Sequence, residues 1–138
     1  MTTPQDSEKG RVFEKAIAVM AEFRKTFGRP LSPDFVAELY VARLLNLEVH
    51  KLPNQPGYDA VDKDGLRYEI KERNAQNVDL NNFDFDFLVL VNLDPDYHLT
   101  GIWKLSKEVA ESIFVWREKF HKYQATQDKI KAHAQKIQ

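Results

Sequence analysis

Apolar residues recur at three- and four-residue steps from Ser7 to Phe27: Val12, Phe13, Ala16, Ile17, Met20, Phe23 and Phe27. That spacing predicts an amphipathic helix. Gly28-Arg29-Pro30 ends it, and Met1 to Gln5 is expected to fray ahead of it. Its Met and Phe side chains are expected in the core. Ser32-Pro33-Asp34 opens a second helix over Pro33 to Asn46, with Ser as N-cap, Pro in the first turn and an acid at the positive helix end. Leu47 to Leu52 alternates and predicts a short strand, and Pro53-Asn54-Gln55-Pro56-Gly57 is a turn cluster.

The next stretch, Gly57 to Lys71, predicts a β-hairpin. Asp62-Lys63-Asp64-Gly65 has type I turn chemistry, with Asp first and Gly last. Leu66, Tyr68 and Ile70 then point to one face, and Arg67, Glu69 and Lys71 to the other. A three-residue loop with Gly65 left-handed pairs Asp62 with Leu66 and sets Asp59 opposite Glu69. Beyond Lys71 the chain is polar to Asn77, and Val78 to Asn82 is expected to be one helical turn or a loop. Phe85 to Val91 becomes apolar on both faces, as a central strand does. Asp94-Pro95-Asp96 turns the chain into a second strand, His98 to Trp103, with Trp103 packing under the last helix.

From Ser106 the steps of four and three run through Val109, Ile113, Trp116, Phe120, Tyr123, Gln127, Ile130, Ala134 and Ile137. This heptad seam predicts a long C-terminal helix over 106–138. Such a helix would be ~49 Å long, more than the ~30 Å of a small domain, and would leave Ile130 and Ile137 exposed unless they are covered. A homodimer through the C-terminal helix is one expectation, and a frayed tail is the other.

The chain has 138 residues, 43% of them hydrophobic, which suits a single domain over 1–138. No long apolar run suggests a membrane span, and no leader pattern precedes the first helix. The absence of cysteine excludes thiolate metal sites and disulfides, and a reducing cytoplasmic setting is the simplest expectation. The net charge of −1 supplies no global basic footprint. Locally, acids crowd Val78 to Tyr97, whereas the segment from Lys104 onward is net basic, as a phosphate-tracking surface or a solvated face would be. No HExxH, P-loop, GxGxxG or GxSxG is present, and the histidines show no close metal-ligand spacing.

Two facing carboxylates in mid-sheet repel each other. A divalent cation between Asp59 and Glu69 would reverse the sign of that interaction, and carboxylate oxygens suit Mg²⁺, with Mn²⁺ as its substitute. Lys71 lies close enough to orient a water or supply charge for phosphodiester hydrolysis. The other reading of the same residues is a solvated face on which Glu69 pairs with Arg67 or Lys71. Glu38 sits on an apolar stripe, with Phe35 before it and Val41, Ala42 and Leu45 after it. A carboxylate there calls for a partner or a metal, unless it pairs with Arg43 or lies at a helix edge. Arg73 continues the Glu69/Lys71 face and is either a phosphate fork or an exposed strand end.

Glu38 on a first core helix, Asp59 at a strand end and Glu69-x-Lys71 on the next strand together resemble the PD-(D/E)XK nuclease superfamily. The resemblance spans about Ser32 to Trp103, with Tyr58 where the family usually has Pro. It implies an α/β fold, a restriction-endonuclease-like mixed sheet flanked by helices. It also implies Mg²⁺-dependent cleavage of nucleic acid, with DNA as the expected partner and no membrane. Asp59 and Glu69 would hold the metal, Glu38 would bind it directly or through water, and Lys71 would position the attacking water. Two readings from other classes stand beside this one. The first is a catalytically silent nucleic-acid-binding module on the same fold; the second is an α/β dimerisation or interaction protein.

Overall fold

The computed structural model describes residues 4–49 and 58–138, with side chains from residue 7 onward. In chain order the elements are α1 (Pro4–Phe27), α2 (Pro33–Leu45), β1 (Glu48–Val49), β2 (Ala60–Val61), β3 (Arg67–Glu72), β4 (Asn77–Leu80), β5 (Phe87–Leu93) and β6 (Leu99–Ser106). They continue with α3 (Lys107–Ile113), β7 (Val115–Arg117), a 3₁₀ turn (Glu118–Phe120), β8 (Lys122–Thr126), α4 (Gln127–His133) and β9 (Gln135–Lys136). The architecture is mixed α/β. A six-stranded sheet runs in the order β1-β2-β3-β5-β6-β9, and a three-stranded sheet in the order β4-β8-β7. Among the described residues no helix is long and apolar enough to cross a membrane.

Strand β5 is the centre of the fold. Leu88, Val89, Leu90 and Val91 are all fully buried, so both sheet faces are covered. On one face Val89, Val91 and Ile102 pack with Ala37 and Val41 of α2 and with Ala60 and Ile70. On the other, Leu88, Leu90 and Leu105 pack with Val78, Leu80, Ala125, Ile113 and Ile130. The core thus extends through the second sheet and the two short C-terminal helices. Strands β3 and β5 are parallel neighbours, and the chain crosses between them through β4 rather than through a helix.

The hairpin has the register its turn chemistry predicts. Ala60 pairs with Tyr68 and Val61 with Arg67, and one step further Asp59 stands opposite Glu69. Gly65 is left-handed at φ 81°, and its N–H donates to the Asp62 carbonyl at 3.1 Å. The start of α2 is also as expected: Ser32 Oγ accepts from the Phe35 N–H at 3.2 Å, and left-handed Asn46 closes the helix.

Other expectations are overturned. The long helix over 106–138 does not form. Ser106 caps α3 as its position suggests, but α3 ends at Ile113, and Ile113-Phe114-Val115-Trp116 is rich in β-branched and aromatic residues that favour strands. Thr126 caps a new helix by accepting the Lys129 N–H at 3.2 Å. Ile130 is then fully buried in the core, and the chain returns to the main sheet, where the Ile137 N–H donates to the Ile102 carbonyl at 2.8 Å. Both isoleucines are covered within the chain, so the reason for pairing two copies through this segment disappears.

Asn77–Leu80 is a strand, not a helical turn or loop, because Val78 and Leu80 alternate into the core. The apolar residues of α1 are not in the core: every residue from 7 to 22 is exposed. Helix α1 meets the rest of the chain through Phe23 and Phe27, whose ring centroids lie 5.7 and 5.9 Å from that of Phe35. Of the expected strand Leu47 to Leu52, Glu48–Val49 is observed. His50, the Pro53 to Gly57 turn cluster and Met1 to Thr3 lie outside the described residues.

Candidate active site

Helix α2, strand β3 and the segments before α2, before β2 and after β3 converge on an open cleft of about 370 Å³ lined by Arg29, Glu38, Asp59, Glu69, Lys71 and Arg73, among others. Every candidate residue named from the sequence is in it. Glu38 comes from α2, Asp59 from the residue preceding β2, Glu69 and Lys71 from β3, and Arg73 from the chain just beyond β3.

Each carboxylate is held differently. Glu38 is 5% exposed, and its Oε2 accepts from Arg29 Nη2 at 2.8 Å. The partner is therefore Arg29 and not Arg43, because the chain between α1 and α2 folds Arg29 over the Phe35 ring, 4.0 Å from its centroid. Asp59 is fixed by backbone. Its N–H donates to the Tyr68 carbonyl at 2.8 Å, and its Oδ2 accepts from the Ile70 N–H at 2.7 Å. The strand ladder itself thus aims the carboxylate into the cleft. Glu69 is steered by Lys71, with Nζ 3.8 Å from Oε1 and both side chains about three-quarters or more buried.

These carboxyl groups are buried close to one another, and burial dominates their electrostatics. Burial pushes Glu69 up to about 8, with the facing Asp59 charge adding to the rise and Lys71 opposing it. Burial likewise raises Asp59, against the Ile70 N–H bond that favours its ionised form. Glu38 is pushed up to about 7, again mainly by burial, although the Arg29 hydrogen bond pulls the other way. Glu69 and Asp59 are thus both raised above the ordinary carboxylate range. Perturbation of this kind marks functional sites more often than structural ion pairs, which lower carboxyl pKa values.

The donor set fits a hard divalent cation. It offers carboxylate oxygens, two of them on directly opposed residues, and a cation would favour their ionised forms against burial. The oxygens of Glu38, Asp59 and Glu69 do not all lie within 4.8 Å of one another, whereas the carboxylate oxygens of Asp94 and Asp96 and a ring nitrogen of His98 do. Glu38, tied back by Arg29, accordingly stands as an outer partner.

Sequence reasoning missed three features. Arg29 was visible only as part of a helix terminator, although a cation just ahead of a helix bearing a buried acid is the signal that could have found it. The exposed Asp94/Asp96/His98 group follows an i, i+2, i+4 spacing that a turn brings together. Gln127, placed on the heptad seam, is 6% exposed. Its Nε2 donates to the carbonyls of Ala75 at 2.6 Å and Arg73 at 3.2 Å, and its Oε1 accepts from Asn92 Nδ2 at 3.0 Å. Asn92 also donates to the Arg73 carbonyl at 2.7 Å. This network pins the backbone that carries Arg73 at the cleft rim.

No protein-family model matches the chain, and no curated protein sequence matches it.

Proposed function

We propose that this domain is a divalent-metal-dependent phosphodiester hydrolase acting on DNA, with a restriction-endonuclease-like arrangement of its sheet and site. One observation carries the reading: Glu38, Asp59, Glu69 and Lys71, chosen from separate stretches of sequence, line a single cleft. Asp59 and Glu69 stand directly opposed there, with Lys71 beside Glu69.

Mg²⁺, held by Asp59 and Glu69 with Glu38 behind them, would supply Lewis acidity and neutralise charge on the phosphate. The residues supply the rest. Asp59, locked by the Ile70 N–H, sets the angle of approach. Glu38 accepts hydrogen bonds from water in the cleft, and Arg29 keeps its carboxylate from swinging away. The Lys71 ammonium donates to the attacking water or to a phosphate oxygen, which orients the nucleophile and offsets the charge that builds on phosphorus. Arg73, on a backbone fixed by Gln127 and Asn92, offers a planar fork to the next phosphate along the strand.

The test is incubation with linear, supercoiled, branched and single-stranded DNA and with RNA, each with Mg²⁺, with Mn²⁺ and with chelator. Cleavage of a DNA substrate that requires the metal and is lost in Asp59→Asn is the expected result. Metal-independent binding with no cleavage of any substrate would instead favour the silent binding module.

A further inference from the structure

Helix α1 is an amphipathic rod of 24 residues standing clear of the domain, with every residue from 7 to 22 exposed. Most of the stability of a helix in a protein comes from packing an apolar face. That face is intact and uncovered: Val12, Phe13, Ile17, Val19 and Met20 are between 47% and 66% exposed.

The order of residues along the stripe identifies what covers it. Val12, Ala16, Val19 and Phe23 step by four and three along the side of the stripe next to its charged border. Glu8, Lys15 and Glu22 follow one edge at seven-residue steps, and Phe13, Met20 and Phe27 follow the other at the same steps. A parallel pair of such helices sets each edge against the opposite edge of its partner, bringing Lys15 against Met20 and Glu22 against Phe27. An antiparallel pair sets like edge against like edge. Lys15 then meets Glu22 of the partner subunit twice, by symmetry, and Phe13 likewise meets Met20 of the partner subunit. Between these edges Val12 faces Phe23 of the partner subunit, and Ala16 faces Val19 of the partner subunit.

We propose that α1 is the dimerisation arm of this protein and pairs antiparallel with α1 of a second copy about a two-fold axis near residues 17 and 18. In this register the antiparallel orientation sets opposite charges and apolar residues against each other, as a self-complementary two-fold interface does. A lipid surface fits less well, because the polar side mixes Glu8, Glu14 and Glu22 with Arg11, Lys15 and Lys25, whereas helices that lie on anionic membranes carry a uniformly basic polar face. The two domains would stand at opposite ends of the helix pair, with their Gly28 residues roughly 30 Å apart along its axis at ~1.5 Å per residue.

Sedimentation equilibrium of the full chain tests the proposal. The wild type should be a dimer in the micromolar range. Phe13→Glu should be a monomer with unchanged domain stability, since Phe13 is 66% exposed and adds nothing to the core. Lys15→Glu alone and Glu22→Lys alone should each weaken the dimer about tenfold. An equimolar mixture of the two should recover wild-type affinity, because both cross-subunit pairs are again of opposite sign. A monomeric wild type overturns the proposal, including one that floats with phosphatidylserine vesicles. So does a dimer indifferent to all three substitutions.

Discussion

Two groups of acids in this chain, Asp94/Asp96/His98 at the β5–β6 turn and Glu38/Asp59/Glu69 in the cleft, differ in what satisfies each carboxylate. The Asp94 turn repeats the geometry of the Asp62 turn. In each, the first Asp accepts N–H groups two and four residues on, at 2.8 and 2.9 Å for Asp94 and 2.9 and 3.0 Å for Asp62. Each also has its fourth residue left-handed, Tyr97 at φ 68° and Gly65 at φ 81°. Asp94 is held below its ordinary pKa by the His98 N–H and that of Asp96. Its carboxylate is ionised and already bonded, so turn formation explains it without a ligand. The cleft carboxyls are pushed the opposite way, above the ordinary range, chiefly by burial, with the Asp59 charge adding to the rise of Glu38 and Glu69. Tight clustering therefore identifies the turn, whereas buried carboxyls raised above their ordinary range identify the cleft.

The sharpest way to break this comparison is to remove one cleft carboxylate. Asp59→Asn or Glu69→Gln should lower cleavage by on the order of 10³-fold or more, as expected for loss of a principal electrostatic group. Each should leave the metal-free fold as stable as the wild type or slightly more so, because a like-charge contact is relieved. Activity assays beside thermal melts would measure both. Full activity in either variant would sink the site assignment.

Next in size is Lys71→Ala. Lys71 lies 3.8 Å from Glu69 but offers no oxygen ligand, so its loss should lower the rate by roughly 10²-fold while calorimetry still detects divalent-ion binding. Loss of metal affinity together with rate would mean that Lys71 acts by placing Glu69, not water or phosphate.

The third prediction concerns pH. Glu38 and Glu69 have folded values near 7 and 8 against an ordinary 4.5. Between those limits the folded chain holds protons that the unfolded chain has released. Stability in chelator should therefore fall as pH rises from about 5 to 8. Mg²⁺ or Mn²⁺ should offset that fall, and Glu69→Gln should flatten it. Melts showing metal-free stability rising over this range would contradict the electrostatic account of the cleft.

The parts legible in the sequence were those set by local chemistry. Turn residues Asp62 to Gly65 fixed the hairpin register and hence the Asp59–Glu69 opposition, and Ser32-Pro33 placed the helix that carries Glu38. What was not legible depended on long-range contacts. The steps from Val109 to Ile137 fit a heptad, yet Ile130 and Ile137 go to opposite faces of the main sheet, which periodicity cannot distinguish from one continuous seam. Val78 and Leu80 read as too short a run until β8 is present to pair with them. Arg29 was hidden because its role depends on a loop that returns it to Glu38 nine residues later. The apolar face of α1 was legible as a pattern, but the pattern does not say whether the face is covered by its own chain.

The smallest expected effect belongs to the turn. Asp94→Ala removes an exposed acceptor for two backbone N–H groups and leaves Tyr97 at positive φ with less to hold it there. Because water replaces the lost acceptor, the cost should be a few degrees of Tm at most. Its pH dependence should also run opposite to that of the cleft. The folded pKa of Asp94 is lowered, so its contribution is present above the ordinary carboxyl range and is lost as pH falls through the folded value. If the turn is only a turn, Asp94→Ala should leave the Mn²⁺-induced rise in Tm unchanged, whereas Asp59→Asn should abolish it. A Mn²⁺ response that vanished with Asp94 and survived in Asp59→Asn would transfer the metal from the cleft to the turn, and the proposed hydrolase mechanism would go with it.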